Sequence, residues 1–124
     1  MEKLIIEASI DTPTVLMDAE KGYFEISGKS YPEDTLEFYT PVLNWMNSYS
    51  QKPQSISTFA FKLVYFNSSS YKPILDLILM LEELKQNNCE VKIEWHYKTG
   101  DTDLKEAGEE FADIITIPFD YYTF

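Results

Sequence analysis

The chain has 124 residues, enough for one domain that buries roughly two thirds of its unfolded surface. A formal net charge of −11 excludes nucleic acid and anionic membrane surfaces as partners, because attraction to either needs Lys and Arg, and favours partners with basic patches. At 44% hydrophobic and 15% aromatic residues, the composition is that of a packed globule and not of a disordered tail.

Lys3–Ser9 reads as a first strand, and its apolar run is too short and too closely flanked by Glu2 and Glu7 for a signal peptide. Thr14–Asp18 and Tyr23–Ser27 read as a hairpin around Ala19-Glu20-Lys21-Gly22, with Gly22 supplying the positive φ that closes the loop. Pro32 suits a first helical turn, so a helix is expected over Pro32–Tyr49. Leu36, Phe38, Tyr39, Val42, Leu43, Trp45 and Met46 form one broad apolar face of it, with a kink or break at Pro41. Ser57–Phe66 reads as a buried strand ending in Leu63-Val64-Tyr65-Phe66. Pro73 pushes Lys72 out of helical geometry, which places the next helix at Pro73–Asn87 and leaves Asn67, Ser68, Ser69 and Ser70 in the strand-to-helix connection. Cys89 reads as a small buried thiol before a strand at Glu90–Lys98, where Val91, Ile93, Trp95 and Tyr97 alternate with polar residues. A short acidic helix at Leu104–Ala112 and a last strand at Ile114–Phe119 complete the order, leaving Tyr121-Tyr122-Thr123-Phe124 as a tail that docks on the body or on a partner. The hairpin followed by strand–helix alternation implies an α/β fold: a single domain over residues 1–124, with a mixed sheet covered by about three helices. Phe61, Leu63, Tyr65, Ile93 and Trp95 are the expected core contribution of the two long strands.

The residues offer little for catalysis. His96 is the lone histidine, with no Ser or Cys placed beside it by sequence, and Gly is too scarce for a phosphate-cradling loop. Asp101, Asp103, Glu106, Glu109 and Glu110 form the densest carboxylate cluster, but their spacing fails the calcium-loop pattern, since Glu106 stands where the glycine belongs and Ala112 where the last Glu belongs. A solvated acidic helix face and an opportunistic magnesium site are the two readings of that cluster. The aromatics Tyr31, Phe38, Tyr39, Trp45, Tyr65, Trp95 and Tyr97 read either as core or as a ligand pocket. The serine run admits two readings as well: Ser69 or Ser70 caps the helix, or the run is a phosphorylation switch at a helix N-terminus that favours an anion. No stretch reaches transmembrane length, and one cysteine permits no intramolecular disulfide, so the expected compartment is a reducing cytoplasm.

Several pieces, in order along nearly the whole chain, resemble the SiaC family of bacterial regulatory phosphoproteins, architectural relatives of the STAS-like anti-anti-sigma proteins. They are Thr12-Pro13 with Val15 and Asp18; Gly28 with Ser30-Tyr31-Pro32-Glu33; Phe38-Tyr39, Pro41-Val42 and Trp45; Tyr65 through Ser70; and Leu75-Asp76-Leu77. Trp95 with Tyr97, Asp101 with Asp103, Glu106 through Phe111, and Pro118-Phe119 complete them. The resemblance implies a non-catalytic protein without cofactor or metal that works in a partner-switching circuit. A serine/threonine kinase with a histidine-kinase-like ATP fold phosphorylates it, a PP2C-type phosphatase reverses this, and the bare form binds and activates a diguanylate cyclase. The family's acceptor matches Ser68, where the family more often has threonine; Asn67, Ser69 and Ser70 flank it. Tyr31, Glu33, Asp101, Asp103 and Glu109 form the expected partner surface. The alternative is a small-ligand binder or enzyme built on the aromatics and the Asp101–Glu110 acids.

Overall fold

The computed structural model describes residues 1–124. Six strands lie side by side in chain order: β1 (Leu4–Ile6), β2 (Thr14–Asp18), β3 (Tyr23–Ser30), β4 (Ile56–Phe66), β5 (Glu90–Tyr97) and β6 (Phe119–Thr123). The first two pairings are antiparallel and the last three parallel. Each parallel step needs a crossover, supplied by α1 (Thr35–Tyr49), α2 (Ser68–Gln86) and α3 (Thr102–Ile114). Crossovers are right-handed, and the strand order never reverses, so all three helices lie on one face of the sheet. Burial follows that asymmetry. Met17, Phe24, Phe59, Ile93 and Phe119 form one row across the helix-covered face, each in register with the next. Val42, Met46, Ile74, Leu77, Ile78, Leu81 and Phe111 of the helices close over the core.

The opposite face carries no helix. Its strand positions, including Glu25, Lys62, Glu94 and His96, are half-buried by one another. Tyr23 Oη donates to Glu25 Oε1 at 2.7 Å, and Lys62 Nζ lies 2.9 Å from the same oxygen. Burial pushes the Glu25 carboxyl up, but the hydrogen bonds from Tyr23 and Lys62 outweigh it and hold the group below its ordinary value. A lowered folded-state pKa contributes stability above the unfolded value, and that contribution is lost as pH falls through the folded value. Tyr23→Phe should therefore raise the Glu25 pKa. Its destabilisation relative to wild type should shrink as the solution is acidified, as checked by carboxyl NMR titration and by unfolding at several pH values.

The element order agrees with the sequence reading, and several boundaries do not. β1 is shorter, because the chain leaves the sheet after Ile6 and turns through Ser9 and Thr12, where Ser9 N–H donates to the Thr12 carbonyl at 3.1 Å. α1 starts at Thr35 because the Asp34 carboxylate caps it, accepting from Glu37 N–H at 3.0 Å; Pro32 and Glu33 precede the helix. The helix runs through Pro41 without a break, and the partnerless carbonyl of Glu37 lies on an exposed residue within water's reach. The last strand is the tail itself. Ile114 ends α3, and the Glu82 carboxylate takes the Thr116 N–H and hydroxyl, while Pro118 has no N–H to give a ladder. The chain then enters β6 at Phe119 and closes with Phe124 N–H donating to the Tyr97 carbonyl at 3.1 Å. Cys89 is buried as expected, its thiol 3.1 Å from the Gln54 carbonyl oxygen.

Tyr65 does not enter the core. The β3–β4 register passes from Gly28 opposite Leu63 to Lys29 opposite Tyr65, so Val64 is an extra residue in β4. Such a bulge flips the side chains beyond it. Tyr65 turns outward at 49% exposure, whereas Phe61, Leu63, Ile93 and Trp95 are fully buried.

Candidate functional site

The serine run lies where β4 ends and α2 begins, and the structure puts all of it inside the helix. The N-cap is Asn67, with extended backbone geometry, and its side-chain oxygen accepts from Ser70 N–H at 3.1 Å. Neither Ser69 nor Ser70 is the cap. α2 therefore starts five residues before Pro73, making Ser68 the first helical residue and not part of a loop. Pro73 deprives only the Ser69 carbonyl of its helical partner, and Ser69 is exposed to water.

The three hydroxyls differ sharply. Ser70 is fully buried, its Oγ 2.9 Å from Ser30 Oγ and donating to the Ser30 carbonyl at 3.1 Å, with Asn67 Oδ1 at 2.8 Å. Ser30 Oγ also meets Tyr39 Oη at 2.6 Å, so a buried chain of hydroxyls ties β3, α1 and α2 together. Burial pushes the Tyr39 phenol up, opposed by its hydrogen bonds with Ser30 and Ser70. Ser69 is exposed but engaged: its Oγ lies 2.7 Å from Thr35 Oγ1 on α1 and 3.0 Å from Asn67 Oδ1. Ser68 is exposed, and its hydroxyl makes no hydrogen bond to the protein. It also stands at the positive end of the α2 dipole, with the backbone N–H groups of a first helical turn.

Around Ser68, the carboxyl ends of β3, β4 and β5 bring three helix N-termini to one rim, capped by Asp34, Asn67 and Asp101. The rim is acidic and partly apolar. Tyr31 packs edge-on against Tyr65 with centroids 5.9 Å apart, and its hydroxyl donates to the Ile10 carbonyl at 2.7 Å. Val64, Tyr65 and Phe66 share a shallow cleft of about 290 Å³ with Asp101 and Asp103. Glu33 lies in a wider groove of about 800 Å³ between α1 and the loop after β1, beside Asp11, Asp34 and Glu37. Thus Tyr31, Glu33, Asp101 and Asp103 do meet on one rim. Glu109 does not: with Asp113 it flanks Tyr121 of β6, whose phenol is pushed up first by burial and then by these two carboxylates.

The features that favoured a ligand site do not come together. Tyr39 and Trp95 are core, Phe38, Trp45 and Tyr97 line its edge, and only Tyr31 and Tyr65 face the rim, so the aromatics form no common pocket. Asp101 caps α3 by accepting from Leu104 N–H at 3.0 Å, and no three His, Cys, Asp or Glu side chains converge as ion ligands. His96 pairs with Glu94 at 2.9 Å and stacks on Tyr122, on the helix-free face. Sequence reasoning missed Thr35 as the partner of Ser69, and Leu36, which is 76% exposed and not on the buried face of α1. A signal for Leu36 was available: the buried set Tyr39, Val42, Met46 and Tyr49 already fills the inner stripe of the helix.

Residues 6–124 match the family model of the SiaC family regulatory phosphoprotein. An uncharacterized protein of Pseudomonas aeruginosa strain UCBPP-PA14 is 31% identical over 119 residues, covering 96% of this chain and 94% of that protein. SiaC of Pseudomonas aeruginosa superposes with a TM-score of 0.90 at 30% identity over the full length of both chains. A chain in the crystal structure of the diguanylate cyclase SiaD in complex with its activator SiaC, also from Pseudomonas aeruginosa, gives a TM-score of 0.92 at 30% identity, covering 98% of this chain and 99% of that one.

Proposed function

The chain belongs to the SiaC family of regulatory phosphoproteins, and on that premise we propose that it is a non-catalytic activator of a diguanylate cyclase, switched by phosphorylation of Ser68. In the bare form the rim around Ser68 binds the cyclase and raises cyclic-di-GMP output. A serine/threonine kinase with a histidine-kinase-like ATP fold modifies Ser68 and releases the cyclase, and a PP2C-type phosphatase restores binding. The observation that carries this reading is the difference among three adjacent hydroxyls. Only Ser68 is both exposed and unbonded, while Ser69 and Ser70 are held by Thr35, Asn67 and Ser30. Tyr31, Glu33, Asp101 and Asp103 supply the surrounding contact surface, and the net charge of −11 suits a partner surface that is basic.

Support from the relatives lies in the complex of SiaC with SiaD, in which SiaC is the activator. The fold adds a physical reason for the placement. A phosphate on the first residue of a helix stays solvated and meets the favourable end of the dipole, so the modification leaves the protein folded. Intact-mass measurement of protein purified from its native host, followed by peptide mapping, should find a single phosphate on Ser68. Phosphate mapped only to another residue, or none under any growth condition, would overturn the assignment.

A further inference from the structure

The bulge in β4 turns apolar side chains outward at the rim. Val64 is the extra residue and is 38% exposed, and Tyr65 beyond it faces solvent. Tyr31, 37% exposed, packs against Tyr65, and the bond from its hydroxyl to the Ile10 carbonyl holds it there. These three make one patch and are not scattered exposures. The cleft of about 290 Å³ beside them has mainly apolar walls, among them Val64, Tyr65, Phe66 and Ala107, and its charged lining is Asp101 and Asp103 alone. Asp101 accepts the Leu104 N–H with one carboxylate oxygen, and neither aspartate has an ion pair. Two cations of the neighbourhood lie outside the cleft. Lys105 borders the hollow on the other side of Asp101, with Tyr97 and Thr123, and Lys29 stands on β3, across β4 from α3.

We infer that this cleft receives one arginine of the effector, its methylene stem along Val64, Tyr65 and Ala107 and its guanidinium on Asp103 and the free oxygen of Asp101; the inference rests on the reading of the rim around Ser68 as the effector surface. The occupant follows from the lining. A purely apolar side chain would cover two carboxylates without a counterion, a desolvation cost that outweighs the apolar contact. A long side chain with an apolar stem and a cationic head suits walls and carboxylates together. Of the two such side chains, arginine has a planar fork with donors for two carboxylates and a face to lay on the Tyr65 ring. The receptor side is held ready, because the α3 cap fixes Asp101 and the Tyr31 contact fixes Tyr65, so little order is lost on binding. Arginine and tyrosine anchors of this kind carry most of the energy of an interface. An arginine seated there is matched by the carboxylates of α3 and leaves a phosphate on α2 without a countercharge.

The test titrates isotope-labelled protein with N-acetyl-arginine amide and, in parallel, with its neutral isostere N-acetyl-citrulline amide. Amide shifts with arginine should concentrate at Val64, Tyr65, Asp103 and Ala107 and saturate with a dissociation constant on the order of millimolar, as a ligand of this size allows. Citrulline should bind about tenfold more weakly or not at all. Asp103→Asn and Tyr65→Ser, both at exposed positions, should each weaken binding of the cyclase about tenfold or more and abolish the localised arginine shifts. Glu109→Gln removes the same charge from the same helix, beside Tyr121, and should change neither. Shifts spread over the acidic surface, arginine and citrulline bound alike, or a cyclase affinity equal in wild type and Asp103→Asn overturns the assignment. Failure of the effector reading looks different: the cyclase ignores wild type while arginine still maps to the cleft.

Discussion

Ser68→Ala is expected to refuse the kinase and to hold the cyclase constitutively, whereas phosphorylated wild type should lose the cyclase while remaining folded. The phosphate adds roughly −1.5 to −2 charges and three acceptor oxygens. In the free protein it points into solvent from an exposed first-turn residue, at the end of α2 where the dipole contributes ~0.3–1 kcal/mol in its favour. In the proposed complex the same group would be pressed against a partner. A buried charge without a matched countercharge costs about 3–5 kcal/mol, which corresponds to a loss of roughly two to four orders of magnitude in affinity. The rim offers little compensation: Asp34, Asp101 and Asp103 lie around it, and Lys72 is already paired with Asp76. Ser68→Asp should weaken the complex only in part, since it supplies about one charge on a shorter, planar acceptor. Calorimetry of the three forms against the purified cyclase, with circular dichroism as the check on folding, decides the matter. Equal affinity of bare and phosphorylated protein would sink it.

The neighbouring serines sharpen that result. Ser69→Ala and Ser70→Ala should still be phosphorylated on Ser68, but they differ in stability. Ser69→Ala removes exposed hydrogen bonds to Thr35 and Asn67, and it should cost at most ~1 kcal/mol. Ser70→Ala cuts into the buried hydroxyl chain that includes Ser30 and Tyr39; the Ser30 carbonyl keeps the Asn67 N–H, but one hydroxyl of the Ser30–Tyr39 pair loses its acceptor, which should cost ~1–3 kcal/mol.

What the sequence made legible was whatever depends on periodicity and local chemistry. The alternation of Ile93 and Trp95 with Glu94 and His96 placed one face inward and the other outward, and both faces are as expected. The alternation in β4 misled after Leu63, because one inserted residue, Val64, reverses every side chain that follows and leaves no mark in the pattern. The start of α2 was hidden for a different reason. Pro73 carries a strong local preference against a helical residue before it, and the Asn67 cap together with the Ser70–Ser30 bonds outweighs that preference through contacts forty residues apart. The same separation explains the site. Ser68 was legible as one hydroxyl in a run, but its distinction from Ser69 and Ser70 exists only once β3 and α1 bring Ser30 and Thr35 against them. Glu109 was grouped with Asp101 and Asp103 by closeness in sequence, although α3 carries it away from the rim toward Tyr121.

Gly108→Ala is expected to be among the most damaging single substitutions, although helix propensity alone predicts a gain. Replacing a mid-helix glycine by alanine favours the helix by about 1 kcal/mol. Here a Cβ would lie 2.5 Å from Trp95 Cδ1 and Nε1 and 2.7 Å from Cγ, well inside contact distance. The indole cannot retreat. It is fully buried among Phe61, Phe111 and Phe119, at centroid separations of 5.6, 5.7 and 6.2 Å, and its N–H donates to the Leu104 carbonyl at 2.8 Å. α3 must therefore lift off the sheet, and overpacking of this kind costs about 1–3 kcal/mol or more beyond the propensity gain. For a chain of this size the melting temperature should fall by roughly 5–15 °C. The lift also displaces the α3 N-terminus, where Asp101 and Asp103 face the rim, so cyclase binding should weaken even at temperatures where the variant is folded. The origin of the loss can be isolated with a double-mutant cycle. In a Trp95→Leu background, where the wide indole is gone, Gly108→Ala should cost little or regain its helix-propensity benefit. A melting temperature for Gly108→Ala equal to or above that of wild type, or an equal cost in both backgrounds, would show that the Gly108–Trp95 contact does not set the position of α3.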